Sequence, residues 1–304
     1  MQVLKIDDLN ADDITFKHKN NDGKIQIKIV NSKTGYSPII TTSWVITPFE
    51  PSSYAKNKGA TEQTTDWTVQ FKGGPCYRTM ELTNPKMKYD YEQNKTDTEK
   101  LFAFFEAVQS KGIDFAHQNS KLLFKKEIKR EIIEEAYYTK FVKKNDKKDA
   151  EGNPYPDLIT TKIMKNIQSG SPDFGKPDFR VEDLMGNRIS IDSWEEVENK
   201  FCTLVPKGTP ARFIIQLRGY LVNNKFGISV KLNAILIDDK KKNNLNNVFT
   251  FREPDAEPVA VVKKHTKAKS EVSDTATHDS EDEHVNVEYS EVYVDDEVFE
   301  EDDV

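Results

Sequence analysis

Between Arg212 and Tyr220 every second residue is polar, cationic or aromatic apart from Ile214, and the intervening residues are apolar or glycine. The stretch Lys225 to Ile237 alternates in the same way after Asn223-Asn224, a turn sequence. If those asparagines make a two-residue turn, Leu221 faces Phe226, Leu217 faces Val230, Ile215 faces Leu232 and Phe213 faces Ala234 on one side of a hairpin. The other side then carries Arg212, Ile214, Gln216, Arg218 and Tyr220, across from Ile235, Asn233, Lys231, Ser229 and Gly227. Cations neutralise phosphates, and a flat ring stacks on any base for roughly 1–3 kcal/mol, so this face has the chemistry that a single nucleic-acid strand requires. A solvated sheet face with no ligand also holds Arg and Lys, and the pattern alone leaves both readings open. Gly219 and Gly227 either admit a ligand backbone or mark a bulge.

The connections offer a second set. Tyr54, Lys56 and Lys58, then Lys72, Tyr77 and Arg78, interleave rings with cations, as loops that clamp a strand across a sheet do. The competing reading is a surface loop with incidental lysines. Trp44 shares a strand face with Ile40 and Ile46, Trp67 with Val69 and Phe71, and Trp194 a helix face with Val197 and Phe201, so all three tryptophans are assigned to the core.

Catalytic and metal patterns find little to build on. Gly170 to Lys176 (GSPDFGK) matches a phosphate-binding loop until its eighth position, where Pro177 supplies neither hydroxyl nor N–H. His18, His117, His265, His278 and His284 form no zinc spacing, and Cys76 with Cys202 gives no disulfide framework. The expectation is a protein without enzymatic activity or cofactor.

Alternation also predicts the positioning elements. Ile14–Lys19 and Lys24–Ile29 flank Asn20-Asn21-Asp22-Gly23 as a hairpin, and Ile39–Thr47 and Trp67–Lys72 read as strands, with a long loop from Pro48 to Asp66. A capping box at Thr96–Glu99 starts a helix that Gly112 closes, and a second helix covers Ser120–Ala136. Further strands fall at Ile159–Ile167 and on either side of Met185-Gly186-Asn187, and a short helix spans Asp192–Phe201.

Charge divides the chain. Residues 271–304 hold fifteen Asp and Glu and no Lys or Arg, whereas the first 270 residues hold 44 basic and 36 acidic side chains, a balance of +8. A basic body suggests a polyanionic partner, and an acidic tail of this composition is expected to be disordered. Tyr289, Tyr293 and Phe299 punctuate the acid as apolar anchors suited to a protein partner. No apolar run approaches a membrane span and the N-terminus lacks a signal-peptide pattern, so a soluble, intracellular protein is expected.

From Lys176 to Ile237 the order FRVEDLMGNRISI, SWEEVENKF, PARFIIQLRGYLVNNKFGISVKLNAILI resembles the single-stranded DNA-binding proteins of the nucleocytoplasmic large DNA viruses, of African swine fever virus type. A weaker similarity runs from Lys95 to Lys165, and the tail looks like those of phage and bacterial ssDNA-binding proteins, although it ends in Val304 with Phe299 inside it. The resemblance implies an OB-fold core with helical additions and sequence-independent ssDNA binding, with Arg218, Tyr220 and Lys231 as contacts. The expected architecture is α+β and β-rich: an OB-like Greek-key barrel over residues 1–252 with a helical insertion at about 96–136, a linker at 253–270 and a disordered acidic tail at 271–304. The expected function is ssDNA binding in viral replication, recombination or repair, the tail recruiting replication proteins in the viral replication compartment. The alternative is an acidic-tailed interaction or chaperone protein that binds basic partners.

Overall fold

Asn223 and Asn224 take φ of 49° and 58°, the left-handed pair that a two-residue hairpin turn demands. The computed structural model describes residues 3–238 apart from 22–23, 56–64, 75, 146, 149–151 and 153, so the expected linker and tail lie outside the described residues.

The first half contributes β1 (Val3–Leu4), β2 (Ile14–Asn21), β3 (Lys24–Asn31), β4 (Ile39–Thr41), β5 (Val45–Ile46), β6 (Ser52–Ala55) and β7 (Thr65–Lys72). Helices α1 (Tyr91–Gln118), α2 (Ser120–Phe124) and α3 (Arg130–Ile132) follow, then β8 (Tyr138–Thr139), β9 (Val142–Lys143), β10 (Leu158–Ile163), β11 (Arg180–Asp183) and β12 (Arg188–Ile189). Two short helices, α4 (Trp194–Glu196) and α5 (Cys202–Leu204), precede β13 (Pro210–Val222) and β14 (Lys225–Ile237). The class is α+β and strand-rich, as expected.

The main sheet runs β1-β4-β13-β14-β10-β7-β6, and β2 with β3 forms a separate ribbon. On the side away from β13, β14 pairs in turn with β8, β10 and β11, each parallel to it. The sheet curls. β13 and β7 are three strand spacings apart along the path, about 14 Å if it were flat, yet the rings of Phe213 and Phe71 stand 5.0 Å apart in the core. Ile40, Val69, Ile159, Phe201, Ile215, Leu217, Val230 and Leu232 fill the same interior, closed on one side by Leu101, Phe104, Phe105 and Val108 of α1.

Several boundaries differ from the sequence reading. Residues 39–47 do not form one strand: the chain breaks at Thr42, whose hydroxyl accepts from Phe213 N at 2.9 Å, and resumes as β5. Part of the presumed loop 48–66 is β6, hydrogen-bonded to β7. Helix α1 starts at Tyr91, capped by the Asp90 carboxylate on Gln93 N at 3.0 Å. The Thr96–Glu99 box lies inside it, with the Thr96 and Thr98 hydroxyls turned to carbonyls four residues back. Gly112 is also interior, because Phe16 and Tyr138 crowd it: a Cβ there would meet the Tyr138 hydroxyl at 3.1 Å and Phe16 at 3.2 Å. The expected helix 120–136 is interrupted at Lys125, φ 59°. Trp67 joins the main core as expected, while Trp44 and Ile46 pack in a smaller cluster with Cys76 and Leu184. Trp194 is only partly buried and donates its indole N–H to Gly175 O at 2.9 Å.

The hairpin register is as expected from Leu221–Phe226 back to Ile215–Leu232, then shifts by one residue. Asn233 is the extra residue of a bulge, so Phe213 pairs with Ile235, Ile214 with Ala234 and Arg212 with Leu236. The expectation that Ile235 lies on the polar face is thereby overturned. A bulge reverses the alternation beyond it, which turns Ile235 and Ile237 into the core, both fully buried.

Candidate nucleic-acid interface

Residues paired across a ladder share a face, so the outer face of the sheet can be traced strand by strand. One row joins Ile39, Gln216, Lys231, Lys162, Thr68 and Ser52 on six consecutive strands. Beside it Arg218 opposes Ser229, and Thr160 opposes Gln70. Toward the hairpin turn Leu158 is flanked by Lys143 and Lys72, and Tyr220 opposes Gly227. The face is therefore polar and cationic across strands that come from distant parts of the chain.

Part of this face deepens into a cleft of about 510 Å³. Its walls carry Lys176, Arg180, Arg188, Arg218 and Lys231 together with Asp173, Asp178 and Asp192. Two carboxylates are already matched: Asp173 accepts from Lys176 at 2.8 Å and Asp178 from the buried Lys231 ammonium. The hydrogen bond to Asp173 and its charge hold the Lys176 pKa above its usual value. Arg218 Nε donates to Gln216 Oε1 at 3.1 Å. The Thr160 and Ser229 hydroxyls are covered and have no partner among the described residues, which costs on the order of 1–3 kcal/mol each. Unsatisfied groups of this kind concentrate where function overrides stability.

The glycines of the hairpin serve the protein itself. A Cβ at Gly219 would stand 2.5 Å from Ile27 Cγ2 of β3, and one at Gly227 would stand 2.6 Å from the Tyr220 hydroxyl. Gly219 thus admits the ribbon, and Gly227 admits the Tyr220 ring, which lies across it.

The sequence-predicted residues divide. Arg218, Lys231, Tyr220 and Lys72 share the traced face, with Lys231 committed to Asp178. Arg212 stands in the same alternation but is drawn inward: its Nε donates to Thr42 O at 3.2 Å, and burial pushes its pKa down. Tyr77 and Arg78 are exposed in another connection, where the Tyr77 hydroxyl donates to Gly208 O at 2.9 Å. Tyr54 lies in β6 opposite Asp66 rather than in a loop. Lys56, Lys58, Tyr289, Tyr293 and Phe299 fall outside the described residues. Lys143, Lys162, Arg180 and Arg188 were missed. For Lys162 the signal was present in the alternation of LITTKI, and for the others it was not local.

The Gly170–Lys176 segment leads into strand β11 rather than a helix, so it lacks the helix N-terminus of a phosphate-binding loop. Among the described residues no cluster of His, Cys, Asp and Glu is placed to hold a metal ion, and no helix is long and apolar enough to cross a membrane.

No family model matches the chain, and no curated protein matches it. Among solved structures it is similar to the single-stranded DNA-binding protein of bacteriophage Enc34 in complex with ssDNA, at 13% identity and a TM-score of 0.35, covering 70% of this chain and 91% of that one. It is also similar to gp2.5, the single-stranded DNA-binding protein of bacteriophage T7, at 11% identity and a TM-score of 0.33, covering 73% and 100%. Overlaps this shallow transfer no residue's role.

Proposed function

We propose that the chain binds single-stranded DNA without sequence preference along the outer face of its main sheet, as a non-enzymatic participant in viral DNA replication, recombination or repair. The observation that carries the reading is the set of cations on that face: Arg218, Lys162, Lys143 and Lys72 stand on neighbouring strands around the buried Gln216, Lys231 and Thr68. Phosphates would run over these cations while bases turn toward Tyr220. Charges spaced over several strands suit a flexible single strand better than a rigid duplex, whose base faces are hidden.

The acidic segment 271–304, with Tyr289, Tyr293 and Phe299, supplies a tethered polyanion that competes for the same face and docks replication proteins. The large-DNA-virus resemblance of residues 176–237 belongs to this reading.

An equilibrium titration of the intact chain against poly(dT), duplex DNA and RNA over a salt series tests it. Preferential binding of the single strand, with log affinity falling against log salt by about 0.7 per phosphate contacted, is the expected result. Duplex binding of equal strength, or a flat salt response, overturns it. Binding only to basic proteins through residues 271–304 would establish the chaperone alternative.

A further inference from the structure

Phe174 is the most exposed large apolar side chain among the described residues, at 62%. It sits in the connection between β10 and β11, between Asp173 and Lys176, both of which line the cleft, so it stands at the rim. The loop is well anchored. Gly170 and Gly175 take φ of 78° and 81°. Asn166 clasps the loop's end from both sides, its carbonyl accepting from Gly175 N at 2.7 Å and its N–H donating to Lys176 O at 2.8 Å. Trp194 fixes the Gly175 carbonyl, and Phe174 N donates to Ser171 O at 3.1 Å. An apolar ring held out in water on a fastened loop loses burial without gaining freedom, which is the condition of a preorganised contact.

The cations beside it are set by the bulge. Past Asn233 the outward residue of β14 is Ala234, and Arg180 of β11 pairs with it. Arg188 opposes Glu182, two positions along from Arg180, so both guanidiniums share one face of β11 and β12. Neither holds a salt bridge among the described residues, and both are exposed. Of the cleft's carboxylates, Asp173 and Asp178 are matched by lysines, and Asp192 accepts from the Ser190 hydroxyl at 2.5 Å.

We infer that the Gly170–Gly175 loop with β11 and β12 forms a base-stacking subsite, in which Phe174 takes one unpaired nucleobase and Arg180 and Arg188 take the phosphates flanking it. The inference rests on the ssDNA reading and extends the strand's path from Arg218, through the cleft, to this rim. The stacking is indifferent to base identity, because every base offers a π-face.

The intact chain is titrated with labelled oligo(dT) of about five and about fifteen nucleotides, spanning the site sizes of single-strand binders. Phe174→Ala is expected to weaken the longer oligonucleotide by about 5- to 150-fold. Phe174→Trp should restore it. Arg180→Gln with Arg188→Gln should shallow the salt slope by about 1.4, for two phosphates. Irradiating the complex with an iodouracil-substituted oligonucleotide should attach it to the peptide bearing Phe174. Wild type that binds the longer oligonucleotide while Phe174→Ala and the arginine pair leave affinity and slope unchanged overturns the subsite and leaves the ssDNA reading standing. Wild type that binds neither oligonucleotide overturns that reading itself.

Discussion

Ile27 of β3 rests directly on Gly219 of β13, so closely that a Cβ at 219 would overlap the Ile27 methyl at 2.5 Å and approach the Ile27 carbonyl at 3.2 Å. This contact joins the separate ribbon to the main sheet. Gly219→Ala must push a β-branched side chain and its backbone aside, and it is expected to cost about 1–3 kcal/mol, read as a lower urea midpoint. Adding Ile27→Ala should recover part of that loss.

At Gly227 the obstacle is a different kind of atom. A Cβ there meets the Tyr220 hydroxyl at 2.6 Å and ring carbons at 2.7 and 2.9 Å, the end of a side chain that can swing. Gly227→Ala is therefore expected to leave the melting temperature within a few degrees of wild type while reducing ssDNA affinity. Tyr220→Ala should cost on the order of 1–3 kcal/mol of binding. Equal affinities for all three proteins would remove Tyr220 from the interface.

Arg218 and Lys231 should separate binding from stability. Arg218→Ala is expected to shallow the salt dependence of ssDNA binding by about 0.7 with little effect on folding. Lys231→Ala leaves Asp178 without its ammonium and should also destabilise the fold, by about 1–2 kcal/mol because Asp178 is half exposed. Thermal melts set beside the titrations distinguish the two.

The Tyr138 hydroxyl is buried without a hydrogen-bond partner among the described residues, and burial holds its pKa well above the usual value. In the unfolded chain a tyrosine ionises near pH ~10. Above that the native state keeps a proton the unfolded state has lost, so stability falls as pH rises from there toward the raised native value. Tyr138→Phe should be neutral or stabilising at pH 7 by up to about 1 kcal/mol, and should flatten the alkaline limb of the stability curve.

Deleting residues 271–304 removes about fifteen negative charges tethered to a net-positive body. Affinity for ssDNA should rise, most at about 50 mM salt, and the gain should shrink as screening shortens the reach of the charges. Equal affinities at low salt for intact and truncated chains would end the competitor role.

The hairpin was legible in the sequence because its apolar face repeats every second residue and its turn is written in two asparagines, so the register from Ile215 to Phe226 follows from local pattern. The bulge was not. Asn233 looks like any outward polar residue, and only the burial of Ile235 and Ile237 against the core shows that the alternation has been reversed. Lys162 could be read from the alternation of its own strand, but Arg180 reaches the interface through pairing with Ala234 of β14, far along the chain, and Lys143 through a two-residue strand too short to show a period. Helix α1 was misplaced at both ends because two threonines and a glutamate imitate a cap, and because Gly112 makes room for rings rather than ending a helix.

The arrangement around β14 also sets an order of assembly. The strands β8, β10 and β11 leave the ribosome before β14 exists, and until Lys225–Ile237 arrives each presents an unsatisfied parallel edge of the kind that invites pairing with another chain. Their closure is long-range and entropically late, so residues 1–224, about three-quarters of the chain, lack the strand on which three others of the main sheet close. A nascent chain stopped before residue 225 is expected to aggregate or to be held by chaperones, and the acidic segment that follows β14 emerges only after the sheet it is proposed to guard can first form.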